Sequence, residues 1–221
     1  MRLVYKRLDL EMNFNENEIN VLIIENPTIY SDVIQSFINQ SDGLGGNFLC
    51  SVDNKEIALS KVAEIIITPF DVDINNKKII TKIYTEIDSE IMISMSEKAA
   101  LLNKNIIEFL DEVVSHVDYD IVYEPAINFT GLFKLMDLKN RNQDDELINR
   151  LINYIKLMHT VLNRELFVFV NIKMYLSEEE IEELYKFCAY EKIHVLLIEG
   201  FQNKIYYNEK VWIIDKDLCI I

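Results

Sequence analysis

The sequence predicts an α/β fold: a mixed head, residues 1–74 and 163–221, interrupted by a long helical leg, residues 75–162. Three observations predict it. Continuous apolar runs of strand length (VLII, LFVFV and VLLI) stand towards both ends of the chain, as in parallel strands buried on both faces. Helical periodicity dominates the middle. Only five glycines and three prolines punctuate 221 residues, which favours long regular elements over many tight turns.

The chain opens with an expected β-hairpin, residues 3–10 and 18–24. Asn26 then suits a helix N-cap and Pro27 the first helical position, with Ile29, Val33, Ile34, Phe37 and Ile38 following at helical spacing. A short hairpin over NFLCSVDNKEIAL turns at Asp53-Asn54. Residues 64–68 are a buried strand closed by Pro69. Helices are expected over residues 77–90, 96–116, 126–138 and 144–162. Within the second, Ala99, Leu102, Ile106, Phe109, Leu110 and Val113 form one apolar stripe for core or intersubunit packing. The chain then returns to alternation. Residues 166–170 are a strand, and Ser177 and Glu180 form a capping box that opens a helix. Residues 194–198 are the next strand of a right-handed parallel crossover, and residues 211–214 and 218–221 a terminal hairpin.

The stretch SDGLGGNF, residues 41–48, holds three of the five glycines. It fails as a phosphate loop. A Walker cradle needs strand, G-x-x-x-x-G-K-[ST], then helix, but the strand-to-helix junction here reads IIENPTIYSD, with neither glycine nor lysine. Gly43, Gly45 and Gly46 also miss the G-x-G-x-x-G spacing. Gly43 fits instead as the left-handed residue that ends a helix.

Composition bounds the rest. A net charge of −15 works against nucleic-acid binding unless cations are segregated onto one surface. No apolar run is long enough to cross a bilayer and the N-terminus lacks a signal-peptide core, so a cytoplasmic location is expected. Cys50, Cys188 and Cys219 are spaced as reduced thiols, and with His116, His159 and His194 they write no zinc motif.

No G-x-S-x-G elbow or cysteine-protease signature occurs, and no catalytic residue is assigned. Three D-x-D triplets could present alternate carboxylates to a hard cation: Asp71/Asp73, Asp118/Asp120 and Asp215/Asp217. The middle one, with Glu124 beyond it, is the sharpest metal candidate; a solvated acidic loop would look the same. Lys82, Lys98, Lys104, Lys134, Lys139 and Arg141 all fall in the helical insertion, as candidates for a basic, DNA-facing surface or as ordinary solvated helix charges.

Five blocks occur in the order found in the short-form type II-A CRISPR adaptation proteins, the Csn-two family, which the chain resembles over nearly its full length. They begin at LIIENPTIYSDVIQSFINQ, EIIITPFDVDINNKKIITKIYTEI, ELFVFVNIKMYLSEEEIEELYKFC, VLLIEG and IIDKDLCII, the third holding the most specific piece, Phe169 to Glu180. The resemblance implies a P-loop-ATPase-like α/β head without Walker motifs and a helical leg. It implies a homotetrameric ring whose basic channel threads double-stranded DNA ends, without catalysis. The ring would act in spacer acquisition with the CRISPR integrase and effector nuclease, with structural Ca2+ on carboxylates near the leg. Asp118 and Asp120 match that acidic segment; Glu124 departs from the family spacing, which puts calcium dependence in question. Two other readings compete: a metal-dependent nuclease using Asp118, Asp120 and Glu124, and an acidic adaptor that contacts only proteins.

Overall fold

The structure, a computed structural model, describes residues 1–141 and 146–221. The chain forms two compact units: residues 1–74 with 143–221, and residues 75–142.

The first unit is built on a five-stranded sheet, all parallel, in the order β6-β7-β8-β3-β9. Its strands are β3 (Ile19–Ile24), β6 (Ala63–Ile66), β7 (Leu166–Val170), β8 (His194–Glu199) and β9 (Glu209–Ile214). Every residue of β3 and β7 is buried, the burial that makes these segments read as unbroken apolar runs. A second, antiparallel sheet has the order β2-β1-β4-β5, from β1 (Arg2–Tyr5), β2 (Leu10–Asn13), β4 (Phe48–Val52) and β5 (Lys55–Ile57). The expected pairing of the first strand with residues 18–24 is therefore corrected. The chain turns back earlier, through Asp9 at φ 49°, and Leu3 lies opposite Met12.

Helix α1 (Pro27–Ser41) is sandwiched between the two sheets. Its Val33 and Phe37 belong to one buried cluster with Leu3, Phe48 and Cys50 from the small sheet and Leu22, Val168 and Leu196 from the large one. Phe37 and Phe48 stack at 4.1 Å between ring centroids. The Tyr5 hydroxyl donates to Asp32 at 2.5 Å, and burial with that carboxylate pushes the phenol well above its usual range.

The SDGLGGNF stretch is the turn that ends α1. Gly43 sits at φ +79°, the Gly43 N–H donates to Gln40 O and the Leu44 N–H to Asn39 O, a complete Schellman motif. Gly46 lies against Gln40, whose side chain pairs with both the N–H and the carbonyl of Phe48; a β-carbon at Gly46 would fall 2.5 Å from Gln40 Oε1. Asp53 and Asn54, both at positive φ, make the hairpin turn between β4 and β5.

Helix α7 (Glu178–Tyr190) begins with the predicted capping box, Ser177 and Glu180 bonding reciprocally. Helices α2 (Leu59–Val62) and α6 (Leu147–Leu162) complete the head. α6 is a correction to the domain boundary. Residues 144–162 are expected in the leg, yet α6 belongs to the first unit, burying Ile148, Leu151, Ile155 and Met158 and pairing Tyr154 with Glu64 at 2.8 Å. The predicted start of that helix, Asp144 and its neighbour, lies outside the described residues. The C-terminal hairpin forms: Ile213 and Ile221 exchange backbone hydrogen bonds at 3.0 and 2.9 Å.

The second unit contains α3 (Lys77–Ser94), α4 (Ser96–Ser115) and α5 (Phe129–Leu135). α3 and α5 pack through Tyr84 and Phe133, rings 5.5 Å apart, and the Tyr84 hydroxyl donates to Leu138 O at 2.7 Å. α4 has no buried residue. Its predicted stripe is only partly covered: Leu102, Phe109 and Val113 are exposed, and Ala99, Ile106 and Leu110 half-buried.

Candidate nucleic-acid interface

Charge is unevenly spread along the helical unit. At its base, residues 75–85 and 129–141 carry Lys77, Lys78, Lys82, Lys134, Lys139 and Arg141 against the single acid Asp137. Between them, residues 86–124 carry ten acids against Lys98 and Lys104. The fold joins the two basic segments. Asn75 Nδ2 donates to Asn140 O at 3.2 Å, and the Asn140 N–H donates back to Asn75 Oδ1 at 2.8 Å, fastening the 139–141 segment beside the start of α3.

Of the predicted cations, Lys82, Lys134, Lys139 and Arg141 therefore share the basic end. Lys98 and Lys104 lie with the acids, and Lys104 pairs with Glu108 on its own helix at 3.6 Å. Lys82 and Lys139 also have ion pairs, with Glu86 at 3.8 Å and Asp137 at 2.5 Å, all solvent-exposed and hence worth little against a polyanion. The adjacent Asp137 carboxylate holds the Lys139 ammonium above its usual range, so it stays a cation.

Sequence reasoning missed Lys77 and Lys78. They occupy the first turn of α3, directly after the Asn76 cap, whose side chain accepts the Ile79 N–H. Cations there oppose the helix dipole and cost local stability, a departure from helix-building rules that marks a candidate anion-facing position. That departure was the available signal.

The metal candidates do not converge. Asp118, Asp120 and Glu124 are exposed on the irregular segment between α4 and α5. Among the described residues no three His, Cys, Asp or Glu side chains form a group able to hold an ion. The segment is tied down by other means: Asn103 bonds the Pro125 carbonyl and the Ile127 N–H, and Tyr123 donates to Asp111. Asp215 is likewise committed, its Oδ1 accepting the Asp217 and Cys219 N–H groups. The described residues do not form a calcium centre within one chain.

The head carries no phosphate cradle at the β3–α1 junction. The α1 N-terminus, where such a loop would present its amides, is capped by Asn26, whose Oδ1 accepts from Thr28 and Ile29. The two buried thiols offer no nucleophile either: burial pushes Cys50 up to about 11 and Cys188 higher still. No helix among the described residues is long and apolar enough to cross a membrane.

Comparison with known proteins follows this geometry. The family model described as CRISPR-associated protein (Cas_Csn2) matches residues 40–218. A CRISPR-associated protein Csn2 of Streptococcus agalactiae is 24% identical over 207 residues, covering 91% of this chain and 89% of its own. One of Enterococcus faecalis is 21% identical over 184 residues, 80% of each chain. Among solved structures, a nucleotide-free ATP-binding cassette from an ABC transporter aligns with a TM-score of 0.49 at 13% identity, covering 97% of this chain and 87% of its own. Another, in its ADP conformation, gives 0.48 at 12% identity, covering 96% and 85%. The head is an α/β core without the Walker motifs, and the chain belongs to the Csn2 family of CRISPR-associated proteins.

Proposed function

We propose that this protein is a non-catalytic clamp on double-stranded DNA ends, acting in CRISPR spacer acquisition with the integrase and effector nuclease. The observation that carries the reading is the charge segregation of the helical unit, which gathers six cations at one end of a chain of net charge −15. Lysine and arginine heads that displace condensed counterions give backbone-directed, sequence-independent binding. A homotetrameric ring is part of the proposal, and α4 supports it: Leu102, Phe109 and Val113 stand exposed on one face of the helix. Calcium enters only as a variable to test, since no ion centre is assembled among the described residues.

The test is retention of linear against circular duplex at low salt, with and without calcium, for the wild type and a Lys77→Ala/Lys78→Ala/Lys82→Ala variant. The wild type should retain linear duplex, and affinity should fall about 1000-fold between 50 and 200 mM salt if about six phosphates are engaged. Loss of retention in the variant supports the clamp; equal retention by both proteins, or none by either, rejects it. Cleaved DNA would return the nuclease reading. Capture of adaptation proteins without any DNA retention would favour the acidic adaptor, which the ten acids of residues 86–124 otherwise recommend.

A further inference from the structure

The head holds a second construction that DNA binding does not use. β8 and β9 run parallel in one sheet on either side of β3, an arrangement normally bridged by a helix of a dozen residues or more. Here residues 200–208 make the passage without a helix, as a strap.

Two cations hold this strap: its own Lys204, paired with Glu178 of α7, and the buried Lys173. Lys173, in the 3-10 turn after β7, donates from Nζ to Lys204 O at 2.9 Å and to Glu209 at 2.7 Å, and lies 5.4 Å from the centre of the Tyr206 ring. Glu209 also accepts the Tyr185 hydroxyl at 2.5 Å and the Tyr206 N–H at 3.1 Å. Glu199, the last residue of β8, accepts the Lys173 N–H at 3.4 Å and faces Asn203 of the strap at 3.5 Å. At the strap's first residue, the Gly200 N–H donates to Asn171 Oδ1 at 3.0 Å.

The charges here do not balance. The side chains of Lys173 and Glu209 are 6% and 0% exposed, and Glu199 is 1% exposed. Two buried carboxylates thus share one ammonium. The other groups facing Glu199 are Tyr185 from α7 and Tyr30 from α1, and neither supplies a cation. A buried carboxylate without a counter-ion of its own takes up a proton rather than remain charged.

We propose that Glu199 is a proton-operated latch for the 200–208 strap. Protonated, it leaves Lys173 committed to Glu209 and the strap is fastened. Ionised, it divides Lys173 between two carboxylates and the strap lifts. The working range falls near neutrality, because burial, reinforced by the Glu209 charge and opposed by Lys173, pushes the Glu199 carboxyl up to about 7. The strap forms one wall of a groove of about 270 Å³, in which Tyr206, Tyr207 and Asn208 face Glu182, Tyr185 and Lys186 of α7. The latch therefore sets the width of that groove.

Two measurements on the full-length protein test this. Glutamate δ-carbon NMR should show one carboxyl titrating near pH 7, absent in Glu199→Gln. Hydrogen-exchange protection factors for the strap amides, corrected for intrinsic rates, should fall about tenfold or more between pH 6 and pH 8 in the wild type, as one linked proton requires. They should stay level in Glu199→Gln. Protection that is independent of pH in the wild type, or that still falls in Glu199→Gln, overturns the proposal. Should Glu199→Gln fail to fold, the two wild-type titrations decide alone: midpoints that do not coincide also overturn it.

Discussion

Asn26 Nδ2 donates to the Lys216 carbonyl at 3.1 Å, tying the entrance of α1 to the C-terminal turn 190 residues later in the chain. The same side chain caps the helix through its oxygen. The amides at the start of α1 are thus satisfied from within the chain. Asn26→Ala should lower stability by about 1 kcal/mol, the usual worth of an N-cap, without creating nucleotide affinity. Urea unfolding together with a nucleotide titration checks both halves; an unchanged midpoint would show that the cap is idle.

Lys77 and Lys78 should respond in opposite senses to two assays. Replacing either with Gln removes a cation from the positive end of α3, which should raise stability by about 0.3–1 kcal/mol, while weakening the retention of duplex DNA. Thermal melts and gel shifts on the same samples make the comparison. A substitution that costs stability and leaves DNA binding intact would assign the two lysines a purely structural role.

Asn20 stands in the middle of the large sheet, 0% exposed, between Leu196 of β8 and Lys210 of β9. Neither its Oδ1 nor its Nδ2 has a hydrogen-bond partner among the described residues. An unpaired buried amide costs about 1–3 kcal/mol. Asn20→Leu, close in volume, should therefore raise the urea midpoint with no change in slope. A lower midpoint would mean that the amide is satisfied in solution, most simply by a trapped water.

The raised Glu199 carboxyl also imposes a pH dependence on global stability. Its value moves from 4.5 to about 7 on folding, so between those values the folded chain holds a proton that the unfolded chain has released. Stability from this group is highest below pH 4.5 and is lost as pH rises to 7, by at most about 3 kcal/mol. Most carboxylates act in the reverse direction, which makes the comparison with Glu199→Gln informative. The variant should gain on the wild type steadily between pH 5 and 8, by chemical denaturation; a constant difference would place the titration elsewhere.

Local chemistry was the legible part. Asn26-Pro27 and Ser177/Glu180 announce two helix starts because a cap is decided by the residues it touches, and both are found. The apolar runs give β3, β7 and β8 because burial on both faces leaves no alternation to confuse with a helix. Partnership was not legible. α6 shows an apolar stripe whether it packs on the head or the leg, and periodicity reports that a face is covered, never by what. The first strand was paired with the wrong partner for a similar reason: Leu10-Glu11-Met12-Asn13 alternates over only four residues. At the site, composition hid the sorting of charge, since an overall −15 is compatible with six cations at one end of the leg. Glu199 reads as the polar residue that ends an apolar strand, and only its neighbours show that it is buried.

The central position of β3 has a consequence for how the molecule is made. This strand is synthesised long before both of its sheet neighbours, β8 and β9. Contacts so far apart in sequence form slowly. The helices of the leg, whose bonds are local, can coil while translation continues, but VLII must wait with two bare edges until β8 and β9 have been made. A message cut short before the codon for Glu209 would yield a molecule with a formed leg and a head in which β3 keeps a bare, adhesive edge.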